Sequence, residues 1–403
     1  MMREILFLAH RIPWPADRGD KIRSRHILKR LCEMAPVHVG TFADDDRDMG
    51  FAEAMDGLVA SRHVELRSKP HWQAGIEGLL TGQPISVRSF ASPSMQSWVN
   101  ARIASGVISH IFCFSGQMAQ YVPMDFRGRF VMDFVDVDSA KFESYAEEGH
   151  SFMRWVNRRE GRVLARFESE IAQRADANLL VSEAEAKLFQ DRTGASTVMA
   201  MGNGIDTGFY DPDGQYKKLH PPFPDPLIVF TGQMDYRPNV EAVSDFAHHA
   251  MPMIRAQHPE ATFAIVGRNP TQAVSDLSML PGVQVTGAVD DVRTWLAAAD
   301  VIVAPLRIAR GIQNKVLEAM AMAKPVIASP AAAEGIDAEH GQHLFVEENI
   351  AAEAARVSAL LAEPGLGLVI GKAARTHVIA HYGWRSQLAL LDRLMGLGTD
   401  DPQ

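Results

Sequence analysis

Short apolar, β-branched runs alternate with amphipathic stretches along most of the chain, and this alternation predicts strands followed by helices. In the first half we predict strands at 4–9, 37–42, 63–66, 107–114, 129–134 and 177–181. In the second half we predict strands at 227–231, 262–266, 283–286, 301–304 and 326–328. Continuously apolar strands that are separated by helices are typical of parallel sheets covered on both faces. The pattern therefore predicts an α/β protein with doubly wound sheets.

Two breaks in this alternation predict the domain organisation. The sequence MGNGID at 201–206 forms a glycine- and asparagine-rich turn, and a proline-rich segment follows at 220–226. We expect a first domain at 1–205, a linker at 206–226 and a second domain at 227–380. The amphipathic pattern near the end predicts a last helix within 381–397. A chain of 403 residues is long enough for two such domains.

Composition narrows the class of protein. Apolar residues make up 47% of the chain and charged residues 22%, which is typical of globular proteins. Two cysteines predict neither a disulfide framework nor a metal cluster, and a net charge of −9 argues against nucleic acid as a partner. No apolar run reaches the ~18 residues that a membrane-spanning helix needs. The apolar run at 5–9 is too short for a signal sequence. We expect a cytoplasmic location.

The stretch from Asp300 to Ser329 carries the clearest candidate chemistry, since it predicts a strand, a loop, a helix and another strand. The helix is expected from 312 to about 322. Its N-terminal N–H groups and dipole favour an anion, and Gly311 lets a ligand approach the backbone. Arg307, Arg310 and Lys315 add cations near the same point.

Glu318 lies three residues after Lys315, so both side chains share one helix face. A carboxylate there can accept two hydrogen bonds from a ribose diol. The pattern therefore indicates a nucleotide diphosphate at the helix start. The alternative interpretation is a plain βαβ unit with charges on its surface.

Two further loops follow strands of the second domain. Gly232 and Arg237 lie in TGQMDYRPN at 231–239, where a ligand contact competes with a surface loop and Asn239 as a helix N-cap. Arg268 lies in VGRNP at 266–270. Ligands of open α/β sheets bind beyond the carboxyl ends of the strands, which is where these residues fall.

The pattern G-x-x-x-K-x-x-E-A-M-A-x-x-x-P-V-I at 311–327 resembles the donor-binding segment of GT-B glycosyltransferases of the retaining GT4 family. The resemblance implies two Rossmann-like domains facing a central cleft, with the final helix crossing back to the N-terminal domain. It also implies a nucleotide-diphosphate sugar on the C-terminal domain and its ribose on Glu318. The family usually has Glu at the position of Arg310 and Gly at the position of Ala323. Donor binding is expected at Gly232, Arg268, Arg310, Gly311, Asn314, Lys315 and Glu318.

The N-terminal domain carries a second group of candidate residues. The run HRIPWPADRGDKIRSRH at 10–26 lies where the family has a loop facing donor phosphate and acceptor, so we assign His10, Gly19 and Asp20 to the acceptor side. Together with 133–139 and 310–329, this run resembles the sugar transferases associated with PEP-CTERM/exosortase exopolysaccharide clusters. Asp136 is our candidate for a sugar contact, while Asp138 has the plain alternative of a helix N-cap. A metal on this D-x-D pattern is the weaker interpretation, and we expect no metal and no cofactor.

The resemblance implies glycosyl transfer with retention of anomeric configuration. The leaving phosphate would take the proton of the acceptor hydroxyl, and Lys315, Arg237 and helix N–H groups would stabilise its charge, with Asp136 as the third catalytic candidate. A non-hydrolysing nucleotide-sugar epimerase and an inactive sugar-nucleotide-binding scaffold are the alternatives. The base, the sugar and the acceptor do not follow from the sequence.

One long amphipathic stretch at 152–174 leaves two interpretations open. Arginines recur at i+4 spacing beside an apolar stripe, at Arg154, Arg158, Arg162 and Arg166. The stretch predicts an ordinary helix packed on the core, or alternatively a face for anionic lipid. The expected partners are a nucleotide-sugar donor, a glycan or polyprenyl-linked acceptor and an anionic membrane at the inner face of the cytoplasmic membrane, with no nucleic acid.

Overall fold

A computed structural model describes residues 3–16, 18–148, 151–219, 226–309 and 311–397. Within these ranges the chain forms two parallel sheets, each with its own helices. The strands of the first sheet are β1 Glu4–Ala9, β2 Val37–Ala43, β3 Ser61–Leu66, β4 Ile108–Phe114, β5 Arg129–Val135, β6 Ala177–Leu180 and β7 Val198–Ala200. They lie in the order β3-β2-β1-β4-β5-β6-β7, and every neighbouring pair is parallel.

The helices of the first half are α1 Gly19–Met34, α2 Asp46–Met49, α3 His71–Thr81, α4 Ile85–Arg88, α5 Pro93–Ala104, α6 Asp138–Glu148, α7 Ser151–Arg174 and α8 Glu183–Thr193. Short 3-10 turns lie at Ala52–Met55 and Gly116–Tyr121. Ser182 accepts a hydrogen bond from the Glu185 amide, as its position before α8 predicts for an N-cap.

The second sheet contains β8 Leu227–Thr231, β9 Thr262–Val266, β10 Val283–Gly287, β11 Val301–Ala304, β12 Val326–Ala328 and β13 Phe345–Val346. The order is β10-β9-β8-β11-β12-β13, again parallel throughout. Its helices are α9 Arg237–Asp245, α10 Met251–Gln257, α11 Gln272–Asp276, α12 Val292–Ala298, α13 Asn314–Ala321, α14 Pro330–Ala333, α15 Ile350–Ala362 and α16 Pro364–Tyr382. A π-helical turn at Phe246–Ala250 joins α9 to α10.

Burial explains why the sequence pattern predicts these sheets well. All residues of β2, β8, β11 and β12 are buried, and β1 is buried from Ile5 onward. Strands covered on both faces carry mostly apolar side chains along their whole length rather than at alternate positions. The predicted α/β class with two doubly wound, Rossmann-like sheets is therefore confirmed.

The chain divides into two compact units that are not each continuous in sequence. One unit comprises residues up to Asn203 together with those from Gln387 onward, and the other comprises Gly204–Ser386. The end of the chain forms two short helices, α17 Trp384–Gln387 and α18 Ala389–Met395, where the sequence pattern predicts one. Leu391 is buried within the first unit, where the Arg30 guanidinium donates to both oxygens of Asp392 at 3.0 and 2.6 Å.

One local prediction is wrong, and one expected backbone conformation is present but strained. Asn239 is not an N-cap, because α9 begins two residues earlier at Arg237. Ala323 has φ 53°, so this position after α13 does need the left-handed backbone that a glycine adopts most easily. Because Ala323 has a β-carbon, it adopts this left-handed conformation with backbone strain.

Among the described residues, no single helix is both long and apolar enough to cross a membrane. The pair α15 and α16 meets the length and composition criteria only when taken together, and it bends by 106° at its break.

Candidate functional site

The loops after three neighbouring strands of the second sheet are tied together by backbone hydrogen bonds. The Gly232 amide donates to Val266 O at 3.0 Å, and the Gly267 amide donates to Gly287 O at 3.2 Å. Gly267 has φ 156°, and a β-carbon there would lie 1.6 Å from the Gly232 carbonyl oxygen. Only a glycine allows this approach. These loops therefore form a close-packed floor at the carboxyl edge of the sheet.

A pocket of about 380 Å³ lies above this floor. The residues that line it are Thr231, Gly232, Val266, Gly267, Arg268, Ala288, Val289, Val292, Lys315 and Glu318. Backbone from the strand ends, two cations and one carboxylate thus meet in a single concave space. Open α/β sheets bind their ligands at this edge.

Lys315, in the first turn of α13, supplies the cation nearest the floor. Its ammonium donates to Asn239 Oδ1 at 2.6 Å and lies 4.3 Å from the ring centroid of Phe230. Burial lowers the pKa of Lys315 to about 8, and the Glu318 carboxylate opposes that shift. A cation that burial has partly stripped of water gains more from an added phosphate than a solvated one does.

Glu318 lies one turn further along α13 and faces the same pocket. Burial raises the pKa of its carboxyl group, while the nearby Tyr210 hydroxyl and the charge of Lys315 act in the opposite direction. An ionised carboxylate can accept hydrogen bonds from a pair of adjacent hydroxyls.

The start of α13 offers further backbone donors. Gln313 is the N-cap residue, but its side chain does not cap the helix. The side-chain amide donates instead to Gly311 O at 3.0 Å. Gly311 has φ 66°, and both it and Asn314 are exposed. They lie at the helix start but do not line the pocket. Arg310, the predicted extra phosphate ligand, lies outside the described residues.

The predicted arginines are placed differently from one another. Arg268 lines the pocket. Arg237 does not, because its side chain is 85% exposed and pairs with Glu241 at 2.7 Å on its own helix. Arg307, expected beside the phosphate, instead binds the buried Glu353 at 3.1 Å. The structure thus assembles only part of the predicted cationic group around the pocket.

In the first unit, two of the three predicted acceptor residues lie close together. His10 is buried, and its ring stacks on Phe114 at a centroid distance of 5.8 Å. Its Nε2 lies 3.4 Å from Asp20, which also accepts from Arg11 at 2.9 Å. Burial lowers the pKa of His10. Burial would raise the pKa of Asp20, but the hydrogen bonds from His10 and Arg11 outweigh it and hold that pKa below its usual range.

Gly19, the third predicted acceptor residue, begins α1, and a β-carbon added there would meet nothing within 4 Å. Unlike Gly267, it is therefore not required by any close contact among the described residues.

Two cations pair with the three crowded carboxylates at the end of β5 and just after it. Asp136 accepts from Lys141 at 2.8 Å, and the same ammonium reaches Asp138 at 3.2 Å. Asp133 is fully buried and pairs with Arg23 at 2.9 Å. Among the residues that the structure describes, no group of three metal-ligating side chains lies close enough to hold a metal ion.

Sequence reasoning misses two residues of the site. It predicts a capping role for Asn239, but that side chain holds Lys315 and donates to Gln233 O at 2.9 Å. The position of Asn239 shortly after β8 is the signal that could have found it. Tyr210 lies in the segment between the two series of strands, where no local pattern marks it as a neighbour of Glu318.

Comparisons with known proteins show what this chain is similar to. Residues 225–363 match the family described as "Glycosyl transferases group 1". A phosphatidyl-myo-inositol mannosyltransferase of Propionibacterium freudenreichii subsp. shermanii is 29% identical over 231 residues, which is 55% of each chain. The chain thus spans about half the length of this curated relative.

Two solved structures have the same fold over nearly their whole length. Anabaena HepE in complex with UDP and glucose has a TM-score of 0.60 at 16% identity, covering 98% of this chain and 100% of that one. The sucrose-phosphate synthase of Thermosynechococcus elongatus has a TM-score of 0.62 at 19% identity, covering 97% and 98%. The two parallel sheets are therefore those of a GT-B fold.

Proposed function

We propose that this chain, which has a GT-B fold and matches the group 1 glycosyl transferases over residues 225–363, transfers a sugar from a nucleotide-diphosphate sugar to an acceptor hydroxyl. The observation that carries the proposal is the single pocket in which Lys315 and Glu318 face the tied loops after β8 and β9. The Lys315 ammonium can pair with a diphosphate, and the Glu318 carboxylate can accept hydrogen bonds from a ribose. Their separation by one helical turn suits the span of a nucleotide.

The transfer proceeds with retention of anomeric configuration. The bond between the anomeric carbon and the β-phosphate oxygen breaks, and the acceptor oxygen forms its new bond on the same face. The proton of the acceptor hydroxyl passes to the departing phosphate. Lys315 stabilises the charge that develops on that phosphate, which is the interaction that most accelerates such a step. Asp136, Arg237 and Arg310 are secondary candidates for this reaction.

The acceptor is a glycan or a polyprenyl-linked sugar bound through the N-terminal unit, with His10, Gly19 and Asp20 on the acceptor side. The run at 10–26 supports exopolysaccharide synthesis of the PEP-CTERM/exosortase type. The named activity of the Propionibacterium relative, which acts on a phosphatidyl lipid, supports a lipid-borne acceptor.

An exposed apolar helix face supports a peripheral contact with an anionic membrane. On α3, Trp72, Ile76, Leu79 and Leu80 are 69%, 51%, 51% and 82% exposed. Their spacing places them on one face of the helix. The neighbouring helix α7 touches α3 through Arg159, which donates to Gly78 O at 2.6 Å.

The charge of α7 suits the same partner. Its exposed side chains include Met153 and Trp155 together with Arg158, Arg162 and Arg166, whereas Glu160 is buried. Apolar groups flanked by arginines are typical of a surface that lies on anionic lipid. This partner places the protein at the inner face of the cytoplasmic membrane.

A donor panel followed by a turnover assay tests the proposal. Thermal shift with UDP-, GDP-, ADP- and TDP-sugars should identify the donor, because a ligand that binds only the folded state stabilises it. The identified donor should then release free nucleoside diphosphate only when a glycan or polyprenyl-linked acceptor is present. A change of the sugar without acceptor would mean an epimerase. Binding without any turnover across lipid and glycan acceptors would mean a scaffold.

A further inference from the structure

The cation of the pocket is held by a buried amide from another helix. Asn239, in the first turn of α9, is buried, and its Oδ1 accepts a hydrogen bond from the Lys315 ammonium at 2.6 Å. Its Nδ2 donates in turn to Gln233 O at 2.9 Å, in the loop after β8. One side chain therefore connects the cation on α13 to a loop that forms part of the pocket floor.

The space around this contact is tightly filled. A β-carbon added at Gly232 would lie 2.8 Å from Asn239 Nδ2 and 3.0 Å from Lys315 Nζ. The ring centroid of Phe230 lies 4.3 Å from the same ammonium. Side chains that are packed this closely have few other rotamers available. The end of a long, flexible side chain is thus kept at one place in the pocket lining.

The chemical type of the partner is unlike that of other buried cations in the chain. Lys21 is buried and donates to the carboxylate of Asp48 at 2.7 Å, and the buried Arg23 donates to Asp133 at 2.9 Å. A carboxylate partner neutralises a cation and competes with an anionic ligand for it. The amide oxygen of Asn239 is uncharged, so it fixes the Lys315 ammonium without neutralising it.

The other groups at the pocket leave the ammonium able to bind a phosphate. The charged side chains that line the pocket with Lys315 are Arg268, from the loop after β9, and Glu318, one turn further along α13. Arg268 is a second cation, and Glu318 is the group to which we assign the ribose. An ammonium has three N–H donors, and Asn239 accepts from one of them. The others can turn toward a ligand in the pocket.

We propose that Asn239 is a positioning residue, a neutral acceptor that holds the Lys315 ammonium at the pocket and leaves its charge available for the phosphates of the nucleotide-sugar donor. This inference rests on the proposed function, because it assigns the diphosphate to Lys315. Ordering a lysine side chain on binding costs conformational entropy, and a side chain that is already held avoids that cost. A cation fixed in advance also needs no reorganisation when charge develops on the leaving phosphate.

Two variants of similar size to asparagine test the assignment. Asn239→Leu removes both hydrogen bonds of the amide, and Asn239→Asp replaces the neutral acceptor by a carboxylate. The titration of Lys315 is followed without ligand by NMR of protein labelled with 13C at the lysine ε-carbons, and Lys315→Arg identifies its signal. Binding of UDP, GDP and ADP is measured by calorimetry. Asn100→Asp is the control, because it adds the same charge at an exposed position of the first unit. Thermal melts check folding.

We expect the two variants to move the pKa of Lys315 in opposite directions. Asn239→Asp should raise it by at least about 1, because an opposite charge favours the cation, and Asn239→Leu should lower it, because a hydrogen bond to the cation is lost. At pH about 7 both should weaken binding of the nucleotide by about ten-fold. Asn239→Leu should add no further loss in the Lys315→Ala background. Asn100→Asp should change neither quantity.

Three other results would overturn the inference. If the pKa of Lys315 stays the same in both variants while affinity falls at every pH, Asn239 only shapes the loop. If affinity is unchanged in both, the ammonium does not need to be held. Should Asn239→Leu fail to fold, Asn239→Asp decides alone, since it keeps an oxygen beside Lys315. If the unmodified protein binds none of the three nucleotides although the pKa moves as expected, the proposed function is wrong and the contact serves another purpose.

Discussion

At the scale of single residues, the pocket depends on two opposite charges that lie one helical turn apart. Burial disfavours both charged forms, lowering the pKa of Lys315 to about 8 and raising the pKa of Glu318. The charged form of each group is therefore stabilised by a ligand that replaces the interactions with water that burial removed. A diphosphate does this for the lysine, and hydroxyl donors do it for the glutamate.

Glu318→Ala should weaken nucleotide binding by about 1.5–3 kcal/mol, the typical contribution of hydrogen bonds to a charged group. Calorimetric titration with the identified nucleotide measures this loss. Glu241→Ala is the control, since Glu241 pairs with the exposed Arg237 and does not line the pocket. Unchanged affinity in a folded Glu318→Ala protein would remove the ribose from this position.

Lys315→Ala should lower kcat by about 10²–10³ with a smaller change in donor affinity, because its charge matters most as the phosphate departs. The exposed Lys372 provides the control variant Lys372→Ala.

The pH dependence of nucleotide binding follows from Lys315: its ammonium is charged below pH about 8 and loses its charge above it. Affinity of the free protein for nucleotide should therefore fall as pH rises through 8, and Lys315→Arg should abolish that fall. If the affinity of the Lys315→Arg variant still falls as pH rises through 8, a group other than Lys315 causes the fall.

At the scale of elements, the loops after β8 and β9 can meet only because a glycine lies at their closest point. Gly267 combines a positive φ with a carbonyl oxygen 1.6 Å from where a β-carbon would be. Gly287, the last residue of β10, also has a positive φ of 69° but has open space around it. An alanine at Gly287 would therefore introduce backbone strain alone, whereas an alanine at Gly267 would introduce backbone strain and a steric clash.

Gly267→Ala should lower the free energy of unfolding by about 2–4 kcal/mol, in the upper range for point substitutions, and should abolish nucleotide binding as the loops separate. Gly287→Ala should cost only about 1 kcal/mol, the strain of a left-handed alanine. Urea denaturation and calorimetry measure the two effects. Equal losses in both variants would show that the collision relaxes without moving the loops.

The apolar face of α3 and the arginines of α7 should bind vesicles of anionic phospholipid, with weaker binding as salt rises. Replacing the exposed Trp72 and Leu80 by aspartate should reduce vesicle binding by about ten-fold or more. Met279→Asp is the control, since Met279 is 79% exposed but lies in the other unit. Absence of binding at low salt would leave α7 as the ordinary amphipathic helix of the alternative interpretation.

At the scale of the whole molecule, the end of the chain completes the unit that its beginning forms. The side chains of Leu391, Leu394 and Met395 are buried there, and Arg129 donates to Leu394 O at 2.8 Å. The second unit, which contains the pocket of Lys315 and Glu318, is thus inserted in the sequence between two parts of the first. Stability of the first unit depends on residues that follow the second.

Leu391→Ala should lower the stability of the first unit by about 2–5 kcal/mol, because it leaves a cavity in a fully buried position. Nucleotide affinity should stay unchanged, since the pocket lies in the other unit. Arg393→Ala, at an exposed position of the same helix, should change stability by less than about 0.5 kcal/mol. Thermal unfolding with and without nucleotide separates the two units. A loss of nucleotide affinity in Leu391→Ala would contradict their independence.

The sequence alone determined most of the strands, because a strand buried on both faces is mostly apolar along its length, although β13 at Phe345–Val346 was not predicted. β1 at Glu4–Ala9, β8 at Leu227–Thr231 and β11 at Val301–Ala304 match their predicted bounds. Helix boundaries were predicted less well. The start of α9 at Arg237 and the break between α17 and α18 depend on packing and on local capping, which the periodicity of apolar residues does not encode.

The sequence also placed Lys315 and Glu318 on one helix face, because their spacing is set by the helix itself. Only the tertiary structure decided which other side chains reach them. Asn239 and Tyr210 come from distant parts of the chain, and Arg307, close in sequence, turns away to Glu353. Local spacing fixes neighbours within one element, whereas contacts between elements depend on how loops fold over the sheet, and no short pattern specifies that.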